Sequence, residues 1–304
     1  MKIVVIGAGA MGSLFGAILA ESGENVRLYD IWEEHVKAIN EKGLDIELNG
    51  KTRSISINAT SDKGQIGKTD LAIIFVKSTQ TVDAARVASE LLGIKGFVLT
   101  LQNGMGNADI IGEIIDPDRI IAGTTSHGAT MLGPGSIRHA GTGPTVIGMW
   151  TGIQKTGIQK IADVFNKAGI VTETVDDVRS VIWAKLLVNV GINAITALTG
   201  IKNGRILDLS ATKALSCAAV EEAMEVARAQ GVKVADNTVE HVFQVAEATS
   251  ANRSSMGQDV DNKRQTEISA INGAVVKEAQ KLGINVPVNK TLTALIETLQ
   301  AHYK

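Results

Sequence analysis

The chain opens with Met1-Lys-Ile-Val-Val-Ile-Gly7-Ala-Gly9-Ala-Met-Gly12, and the rest of the sequence is organised around this stretch. The apolar, β-branched run over residues 3–6 predicts a buried strand that ends abruptly in a Gly-x-Gly-x-x-Gly motif. Apolar residues then recur at helical spacing over residues 13–22. A strand, a glycine turn and a helix in that order are the context in which this motif binds a dinucleotide.

Each glycine of the motif has a separate physical role. Gly7 makes the tight turn, Gly9 lets the backbone approach a pyrophosphate, and Gly12 lets the helix pack close to the strand. The free N–H groups and the positive dipole end of the helix favour phosphates here. A glycine-rich turn without a ligand is the alternative, because 31 of the 304 residues are glycine. The dinucleotide interpretation assigns to cofactor binding the residues Gly7, Ala8, Gly9, Ala10, Met11 and Gly12.

An acidic residue at the end of the next strand favours the dinucleotide interpretation. The second predicted strand, residues 25–30, follows the helix and ends at Asp30. This carboxylate stands about 20 residues beyond the motif, where an acidic side chain hydrogen-bonds the ribose 2′-OH of a dinucleotide. The position of the motif together with Asp30 makes a ligand-free turn the weaker reading.

Composition and charge exclude several classes of function. The formal net charge is −2, so no excess of positive charge favours a nucleic acid or an anionic membrane surface as a partner. The single cysteine, Cys217, excludes an intramolecular disulfide framework and is typical of a reducing compartment. We therefore predict a soluble, cytoplasmic protein, and we assign no metal ligands.

The stretch over residues 181–200 is the closest to a membrane span. It carries Lys185, Asn189 and Asn193 in its interior, and such polar groups are rare inside an ordinary span. We therefore predict a helix of a soluble domain here and no membrane partner.

The pattern of elements changes near residue 176 and predicts two domains. Before it, apolar strands alternate with helices around one inserted hairpin at Asn49-Gly50, which is typical of an α/β, Rossmann-type, doubly wound, mostly parallel sheet over residues 1–176. After it, apolar spacing is helical, so residues 177–304 are predicted to form an all-helical substrate domain. Its helices are predicted over residues 178–198, 208–230, 236–249, 261–282 and 290–302.

Polar residues follow the predicted parallel strands at their carboxyl ends. Lys77 follows the strand over residues 70–76, and Asn103 follows the strand over residues 96–101. Ligands of open parallel sheets bind beyond these ends, so Lys77 and Asn103 are expected to join the glycine motif and Asp30. One polar residue at a strand end is ordinary, whereas a set of four is better explained by a ligand.

The apolar helix over residues 178–198 carries a polar stripe. Lys185, Asn189 and Asn193 stand at i, i+4 and i+8, so they share one face of the helix. A solvated polar face is the alternative, but such a face usually mixes Glu, Lys and Arg. Asparagine is a poor helix former yet a fixed, uncharged donor and acceptor, which suits it to orienting a small polar ligand.

A second polar stretch contains Ser255 and Glu267. By itself it is ambiguous, since Ser254 or Ser255 could cap a helix and Glu267 could pair with Lys263 at i, i+4. If the protein binds a nicotinamide cofactor, this stretch has a role in the chemistry. A ketone that accepts a hydride needs a proton donor as charge develops on its oxygen, and the ammonium of Lys185 fits that role. A carboxylate such as Glu267 could hold the lysine and hydrogen-bond the substrate.

At these residues the chain resembles the 2-dehydropantoate 2-reductase (ketopantoate reductase) family over essentially its whole length. Besides the glycine motif, the resemblance is carried by Val76-Lys77, Gln102-Asn103-Gly104-Met105-Gly106, Lys185-Leu-Leu-Val-Asn189 with Ile192-Asn193, Asn203-Gly204, Ser254-Ser255-Met256, and Thr266-Glu267-Ile268 with Ile271-Asn272-Gly273. Together these motifs are highly specific, although no single one is. The resemblance implies reduction of 2-dehydropantoate to (R)-pantoate in pantothenate biosynthesis, upstream of coenzyme A.

The resemblance also implies roles for single residues. It makes Lys185 the proton donor and Glu267 the carboxylate that contacts the substrate hydroxyl, with a further contact from Glu267 to the cofactor. It implies that Asn103 reaches both cofactor and substrate. The other substrate contacts that it implies are Asn189, Asn193, Asn203 and Ser255. The other cofactor contacts that it implies are Lys77 and Ala129.

One departure from the family concerns the cofactor. The family generally uses NADPH, and its members commonly place a basic residue near the end of the second strand, where this chain has Asp30 and no Arg or Lys before Lys37. A carboxylate accepts from a 2′-OH but repels a 2′-phosphate. We therefore expect NAD(P)H as cofactor, with NADH used at least as well as NADPH.

Two other functions stay open at this point. An NAD-dependent (R)-2-hydroxyacid dehydrogenase of the same fold would perform the same chemistry on another 2-ketoacid, and Asp30 favours it. A non-catalytic NAD(P)H sensor is disfavoured because Lys185, Asn189, Asn193, Ser255 and Glu267 are all present. The partner is expected to be a small-molecule 2-ketoacid, and a homodimer remains open.

Overall fold

A computed structural model describes residues 1–153 and 156–303. The chain divides into two compact units. The first contains Met1–Gln102 and Asn107–Val178, and the second contains Asn103–Gly106 together with the chain from Arg179 onward. Residues 103–106 therefore belong with the helical half of the protein, although the sequence analysis assigned them to the first domain.

The first unit alternates strands and helices. In chain order its described elements are β1 (Lys2–Ile6), α1 (Ala10–Glu21), β2 (Asn25–Tyr29), α2 (Glu33–Lys42), β3 (Leu44–Leu48), β4 (Lys51–Ile55), β5 (Asn58–Thr60), β6 (Thr69–Ile74), α3 (Thr81–Leu91), β7 (Leu92–Thr100), α4 (Asn107–Gly112), β8 (Ile120–Thr125), β9 (Gly128–Gly133), β10 (Ser136–Gly141), β11 (Thr145–Met149), α5 (Thr156–Lys167) and β12 (Thr172–Thr174).

The larger sheet has the strand order β12-β11-β8-β7-β6-β1-β2-β5. Neighbouring strands are parallel except for the antiparallel pair β8 and β11. The central strand β1 lies between β6 and β2, so the strand order reverses there, and ligands of open α/β sheets bind at such a reversal. The doubly wound, mostly parallel sheet predicted from the sequence is confirmed.

The central strands are apolar because they are covered on both faces. Residues 3–6 of β1 and residues 71–74 of β6 are all at most 2% exposed. Phe15 of α1 and Phe165 of α5 pack against this core with their rings 6.1 Å apart. Continuous apolar runs of this kind are expected of parallel strands buried under helices.

The hairpin around Asn49-Gly50 is confirmed and belongs to a second sheet. Strands β3 and β4 pair antiparallel, and Asn49 and Gly50 both have positive φ angles, as a two-residue hairpin turn of this type requires. The sheet has the order β4-β3-β10-β9. Strands β5, β9 and β12 were not predicted from the sequence, because strands of three to six residues give little periodic signal. Helix α5 was also not predicted, although its buried residues recur at helical spacing.

The described part of the second unit, residues 103–106 and 179–303, contains helices and no strand. Its helices are α6 (Val178–Thr199), α7 (Ser210–Ala229), α8 (Thr238–Ala248), α9 (Ser255–Asp261), α10 (Asn272–Leu282) and α11 (Pro287–Ala301). By length and composition alone α6 is apolar enough to cross a membrane, with a mean hydropathy of 1.7. However, 61% of that window is buried, as in the core helix of a soluble domain.

The predicted helix over residues 261–282 is wrong. Helix α9 ends at Asp261, and α10 begins only at Asn272. Between them Lys263 has a φ of 52°, and the backbone N–H and hydroxyl of Thr266 both donate to the side chain of Gln300 on α11. Glu267 therefore lies in an irregular connection just before one turn of 3₁₀ helix, and its proposed i, i+4 pairing with Lys263 on a helix does not occur.

Candidate active site

The glycine motif connects β1 to α1, and its three glycines have different surroundings. Gly7 has a φ of +92°, and a Cβ there would lie 2.8 Å from the backbone N of Val76. A Cβ at Gly12 would lie 1.9 Å from the carbonyl oxygen of Gly7, because the helix packs directly on the turn. A Cβ at Gly9 would meet nothing within 4 Å, so this position borders open space.

The N-terminus of α1 has the backbone features that favour an anion. Gly9 is the N-cap residue and offers no side chain to the first N–H groups, and the first turn carries no acidic residue. The backbone N–H of Ser13 donates to the carbonyl of Gly9 at 2.8 Å and closes the first turn. Ala10 and Met11, which are half-buried, supply the uncapped N–H groups. With the open space at Gly9, these residues fit the pyrophosphate of a dinucleotide.

Asp30 lies immediately after β2 and contacts the glycine motif. Its Oδ2 accepts from the backbone N–H of Ala8 at 2.6 Å, and its Oδ1 accepts from the backbone N–H of Trp32 at 2.9 Å. Asp30 is half-buried, so part of the carboxylate remains accessible. The structure thus brings together the motif and the acidic residue that the sequence assigned to the ribose.

The two remaining cofactor candidates of the first unit have different settings. Lys77 is exposed and follows β6 at the start of a short 3₁₀ turn, on the same edge of the sheet as the motif. Ala129 is half-buried on β9, where it pairs with His139 of β10 in the second sheet. Ala129 follows the end of β8 by four residues but already belongs to β9, and it is apolar, so a search for polar residues at strand ends does not find it.

Gln102 is a residue whose structural role the sequence reasoning missed. Its Nε2 donates to the carbonyl of Val76 at 2.8 Å and to the hydroxyl of Thr81 at 2.9 Å. These bonds tie the carboxyl ends of β6 and β7 together in the first unit. A polar residue that directly follows a buried strand was the available signal.

Within the second unit, residues 103–106 are held against the connection that carries Glu267. Nδ2 of Asn103 donates to Oε2 of Glu267 at 3.4 Å, and the backbone N–H of Met105 donates to the carbonyl of Ala270 at 2.8 Å. Gly104 has a φ of +82°, and a Cβ there would lie 2.3 Å from the carbonyl oxygen of Ala270. This approach requires glycine, so the Gln-Asn-Gly-Met-Gly motif has a steric reason.

Lys185 is a half-buried cation beside a buried carboxylate. Burial lowers the pKa of Lys185 to about 8, while the negative charge of Glu267 opposes the shift. Glu267 is only 8% exposed. An ammonium of this kind is charged at neutral pH but gives up its proton more readily than an ordinary lysine.

The rest of the polar stripe on α6 does not form a solvated face. Asn189 is half-buried and Asn193 is 5% exposed. Nδ2 of Asn193 is buried and has no hydrogen-bond partner among the described residues. A buried donor without a partner is unfavourable, so this amide points to a ligand that supplies an acceptor.

Asn203, in the 3₁₀ turn after α6, has an unused acceptor, whereas Asn193 has an unused donor. Its backbone N–H donates to the carbonyl of Asn252, and its Nδ2 donates to the hydroxyl of Thr249, both at 3.0 Å. Its Oδ1 is buried and accepts no hydrogen bond within the described chain. The second unit therefore offers one unused buried donor and one unused buried acceptor on candidate substrate residues.

The two serines at the start of α9 separate into different roles. The hydroxyl of Ser254 is the N-cap and accepts from the N–H of Gly257 at 3.0 Å, and it lies 2.7 Å from the hydroxyl of Thr196 on α6. Ser255, the sequence-predicted substrate contact, is exposed at the first position of the helix. The capping alternative thus applies to Ser254 and leaves the side chain of Ser255 accessible.

Arg253 is a second residue that the sequence analysis missed. Its guanidinium forms two hydrogen bonds of 2.8 Å to Asp261 and also donates to the carbonyl of Ile201 at 2.9 Å. It thereby joins both ends of α9 to the chain that leaves α6.

In residues 1–153 and 156–303, no three His, Cys, Asp or Glu side chains form a group that could hold a metal ion.

Comparison with known proteins gives matches over nearly the whole chain. Residues 3–152 match the family model described as "Ketopantoate reductase PanE/ApbA", and residues 177–300 match its C-terminal companion. A 2-dehydropantoate 2-reductase from Halobacterium salinarum is 38% identical over 301 residues, which is 99% of each chain.

Two solved structures are similar to this fold throughout. A PanE/ApbA family ketopantoate reductase from Ralstonia eutropha has a TM-score of 0.91 at 35% identity, covering 99% of both chains. A ternary structure of D-mandelate dehydrogenase with NADH and anilino(oxo)acetate has a TM-score of 0.92 at 30% identity, also covering 99% of both chains.

Proposed function

Since this chain belongs to the ketopantoate reductase family, we propose that it reduces the C2 ketone of 2-dehydropantoate to the hydroxyl of (R)-pantoate. This reaction is a step in the biosynthesis of pantothenate and hence of coenzyme A. A reduced nicotinamide dinucleotide supplies the hydride. The chain itself must bind the dinucleotide, orient the ketoacid and deliver one proton to the ketone oxygen.

The observation that carries the proposal is the setting of Lys185 beside Glu267. Burial lowers the pKa of Lys185 to about 8, so its ammonium is protonated at neutral pH and is still acidic enough to act as a general acid. As negative charge develops on the ketone oxygen, the ammonium stabilises it and then donates the proton. The charge of Glu267 keeps the lysine protonated, and the amide of Asn103 donates to that carboxylate.

Two unused polar atoms support a hydroxylated ketoacid as substrate. Nδ2 of Asn193 offers a donor that suits a carboxylate or carbonyl oxygen, and Oδ1 of Asn203 offers an acceptor that suits a hydroxyl group. 2-Dehydropantoate carries all of these groups. Asn189, Asn103 and Ser255 complete the set of substrate contacts that we propose.

We infer that NADH is used at least as well as NADPH. The contacts of Asp30 with Ala8 and Trp32 support this, since they hold a carboxylate at the position assigned to the ribose. A carboxylate accepts from a 2′-OH and repels a 2′-phosphate, and the chain has no Arg or Lys from position 31 to 36 to offset it. The cofactor contacts proposed at Lys77, Ala129 and Glu267 do not distinguish the two dinucleotides.

A second candidate is an NAD-dependent (R)-2-hydroxyacid dehydrogenase. It is favoured by Asp30 and by the similarity to a D-mandelate dehydrogenase described with NADH. The acid–base residues would be the same, and only the groups that surround the substrate side chain would differ. The unused acceptor on Asn203 favours 2-dehydropantoate, because the side chains of 2-oxoisovalerate and phenylglyoxylate carry no hydroxyl group.

A steady-state assay with a substrate panel tests the proposal. We expect the highest kcat/KM with 2-dehydropantoate, lower values with 2-oxoisovalerate and phenylglyoxylate, and activity with both NADH and NADPH. A preference for phenylglyoxylate would replace the first candidate by the second. Absence of turnover with every ketoacid, with dinucleotide binding intact, would support a cofactor sensor instead.

We also propose a cytoplasmic location and, besides the dinucleotide, a small-molecule 2-ketoacid as the partner. A homodimer stays a prediction, and light scattering of the purified protein measures it directly.

A further inference from the structure

His35, on the first turn of α2, is a buried histidine with partners on both ring nitrogens. It is 0% exposed. The backbone N–H of Gly135 donates to Nδ1 at 2.9 Å, so Nδ1 is the acceptor and the proton is on Nε2. Nε2 lies 3.2 Å from the hydroxyl oxygen of Ser13, to which it therefore donates. The hydrogen bonds fix one neutral tautomer of this ring.

Ser13 connects His35 to the glycine motif. Its hydroxyl, which is also 0% exposed, donates to the carbonyl of Ala8 at 2.7 Å. The N–H of Ala8 donates to Asp30 at 2.6 Å. The backbone N–H and carbonyl of Ala8, which lies between the first two glycines, are therefore both held by side chains.

The ring of His35 also supports the other side of Asp30. It stacks on the indole of Trp32 with 5.1 Å between the ring centres and 13° between the planes. The backbone N–H of Trp32 donates to the second carboxylate oxygen of Asp30. His35 thus contacts both segments that fix the position of Asp30.

The hydrogen bond from Gly135 connects His35 to a distant part of the first unit. Gly135 lies in the turn between β9 and β10, has a φ of +73°, and packs so closely on α2 that a Cβ there would lie 2.9 Å from Cβ of Ala38.

Burial lowers the pKa of His35, and the charge of Asp30 and the carbonyl of Ala8 oppose this shift. The lowered pKa is consistent with the neutral ring that the hydrogen bonds require.

We propose that His35 is a positioning residue that, through Ser13 and Trp32, holds the glycine motif and Asp30 in the arrangement that binds the dinucleotide. The inference rests on the proposed nicotinamide cofactor but not on the identity of the ketoacid. A histidine that merely filled the core would contribute to stability without changing the affinity for the dinucleotide.

The test is a fluorescence titration with NADH in the absence of ketoacid, together with thermal unfolding of each variant. His35→Phe keeps a buried ring on Trp32 but loses both hydrogen bonds. Ser13→Ala removes the hydroxyl that connects Nε2 of His35 to the carbonyl of Ala8 and leaves the bond from Gly135 to His35 in place. We expect each to raise the Kd for NADH about five- to tenfold, the effect of one or two net hydrogen bonds. The KM for the ketoacid should remain unchanged.

Two matched variants separate positioning from general loss of stability. His35→Gln can still donate to Ser13 from its amide nitrogen and should recover most of the affinity, whereas the shorter His35→Asn should not. Thr145→Val removes a buried hydroxyl bond on β11, four strands from β1, and should lower Tm without changing the Kd.

The inference is overturned if His35→Phe and Ser13→Ala raise the Kd no more than Thr145→Val does. It is also overturned if the Asn and Gln variants bind NADH equally well. A wild-type protein that binds NADH but reduces no ketoacid would remove the proposed substrate and leave the role of His35 intact. A wild-type protein that binds no nicotinamide dinucleotide would contradict both.

Discussion

The side-chain amide of Asn103 donates to the carboxylate of Glu267, with 3.4 Å between the two atoms, although 164 positions separate them in the chain. The hydrogen bond joins the segment that follows β7 to the irregular connection before α10. It fixes the carboxylate whose charge acts on Lys185. A contact of this kind depends on the folded backbone at both ends, and Gly104 is what allows the two segments to approach.

Lys185→Ala should remove the proton donor. We expect kcat to fall about 10²- to 10⁴-fold, the usual range for a general acid, while the Kd for NADH stays unchanged. Lys277→Ala, which removes an exposed lysine from α10, is the matched control and should keep full activity. Stopped-flow measurement of the hydride-transfer step reports the change, and an unchanged rate in Lys185→Ala would exclude this residue from proton transfer.

The rate of ketone reduction should depend on the protonation of Lys185. Burial lowers the pKa of this residue to about 8, so the ammonium is present at neutral pH and is lost as the pH rises through that value. We expect log kcat/KM to be level below pH 8 and to fall with a slope near −1 above it. A profile that stays level to pH 10 would assign the proton to another group.

Glu267→Gln extends the pH experiment. The negative charge of Glu267 raises the pKa of Lys185, so its removal should move the fall in residual activity to a lower pH. A shift toward higher pH would mean that the carboxylate does not act on the lysine through its charge.

Asp30→Asn should change the choice of dinucleotide. The amide oxygen can still accept from the N–H of Ala8, but the charge that repels a 2′-phosphate is gone. We expect kcat/KM with NADPH to rise at least about fivefold and that with NADH to fall by a smaller factor. Glu34→Gln removes an exposed carboxylate from the adjacent helix α2 and should leave the ratio of the two cofactors unchanged. A wild-type protein with a strong NADPH preference would contradict the role given to Asp30.

Asn203→Ala should discriminate between substrates. Loss of the unused acceptor should raise the KM for 2-dehydropantoate about tenfold, since one buried hydrogen bond to its hydroxyl disappears. The KM for 2-oxoisovalerate, which has no such hydroxyl, should change little. Two controls apply. Thr249→Val removes the hydroxyl that accepts from the amide nitrogen of Asn203 but leaves Oδ1 of Asn203 in place. Asn252→Ala removes the side chain of Asn252 but leaves the backbone carbonyl that accepts from the N–H of Asn203. Equal increases for both ketoacids would assign Asn203 to general packing.

The first unit could be predicted well because its signals are local. The run into Gly7, the helical spacing of α1 and the Asn49-Gly50 turn each depend on a few adjacent residues, and all three are confirmed. Strands such as β9 were missed because their pairing partners, not their own sequence, define them.

The second unit shows where local reasoning fails. Helical spacing suggested one helix over residues 261–282. However, Thr266 donates to the side chain of Gln300, and the carbonyl of Ala270 accepts from the backbone N–H of Met105. Both partners lie outside the segment, and the chain stays irregular up to Asn272. The stripe of Lys185, Asn189 and Asn193 needed only the period of a helix, and it is present on α6. The roles given to these residues remain predictions.

Residues 103–106 belong to the compact unit whose other residues begin at Arg179. The two units therefore do not correspond to two uninterrupted stretches of coding sequence. A chimera that joins the first 178 residues of one relative to the remainder of another would mix parentage inside the helical unit at Gly104 and Ala270, which lie in direct contact. Recombination between relatives is thus expected to preserve this unit only when residues 103–106 are exchanged together with the C-terminal part.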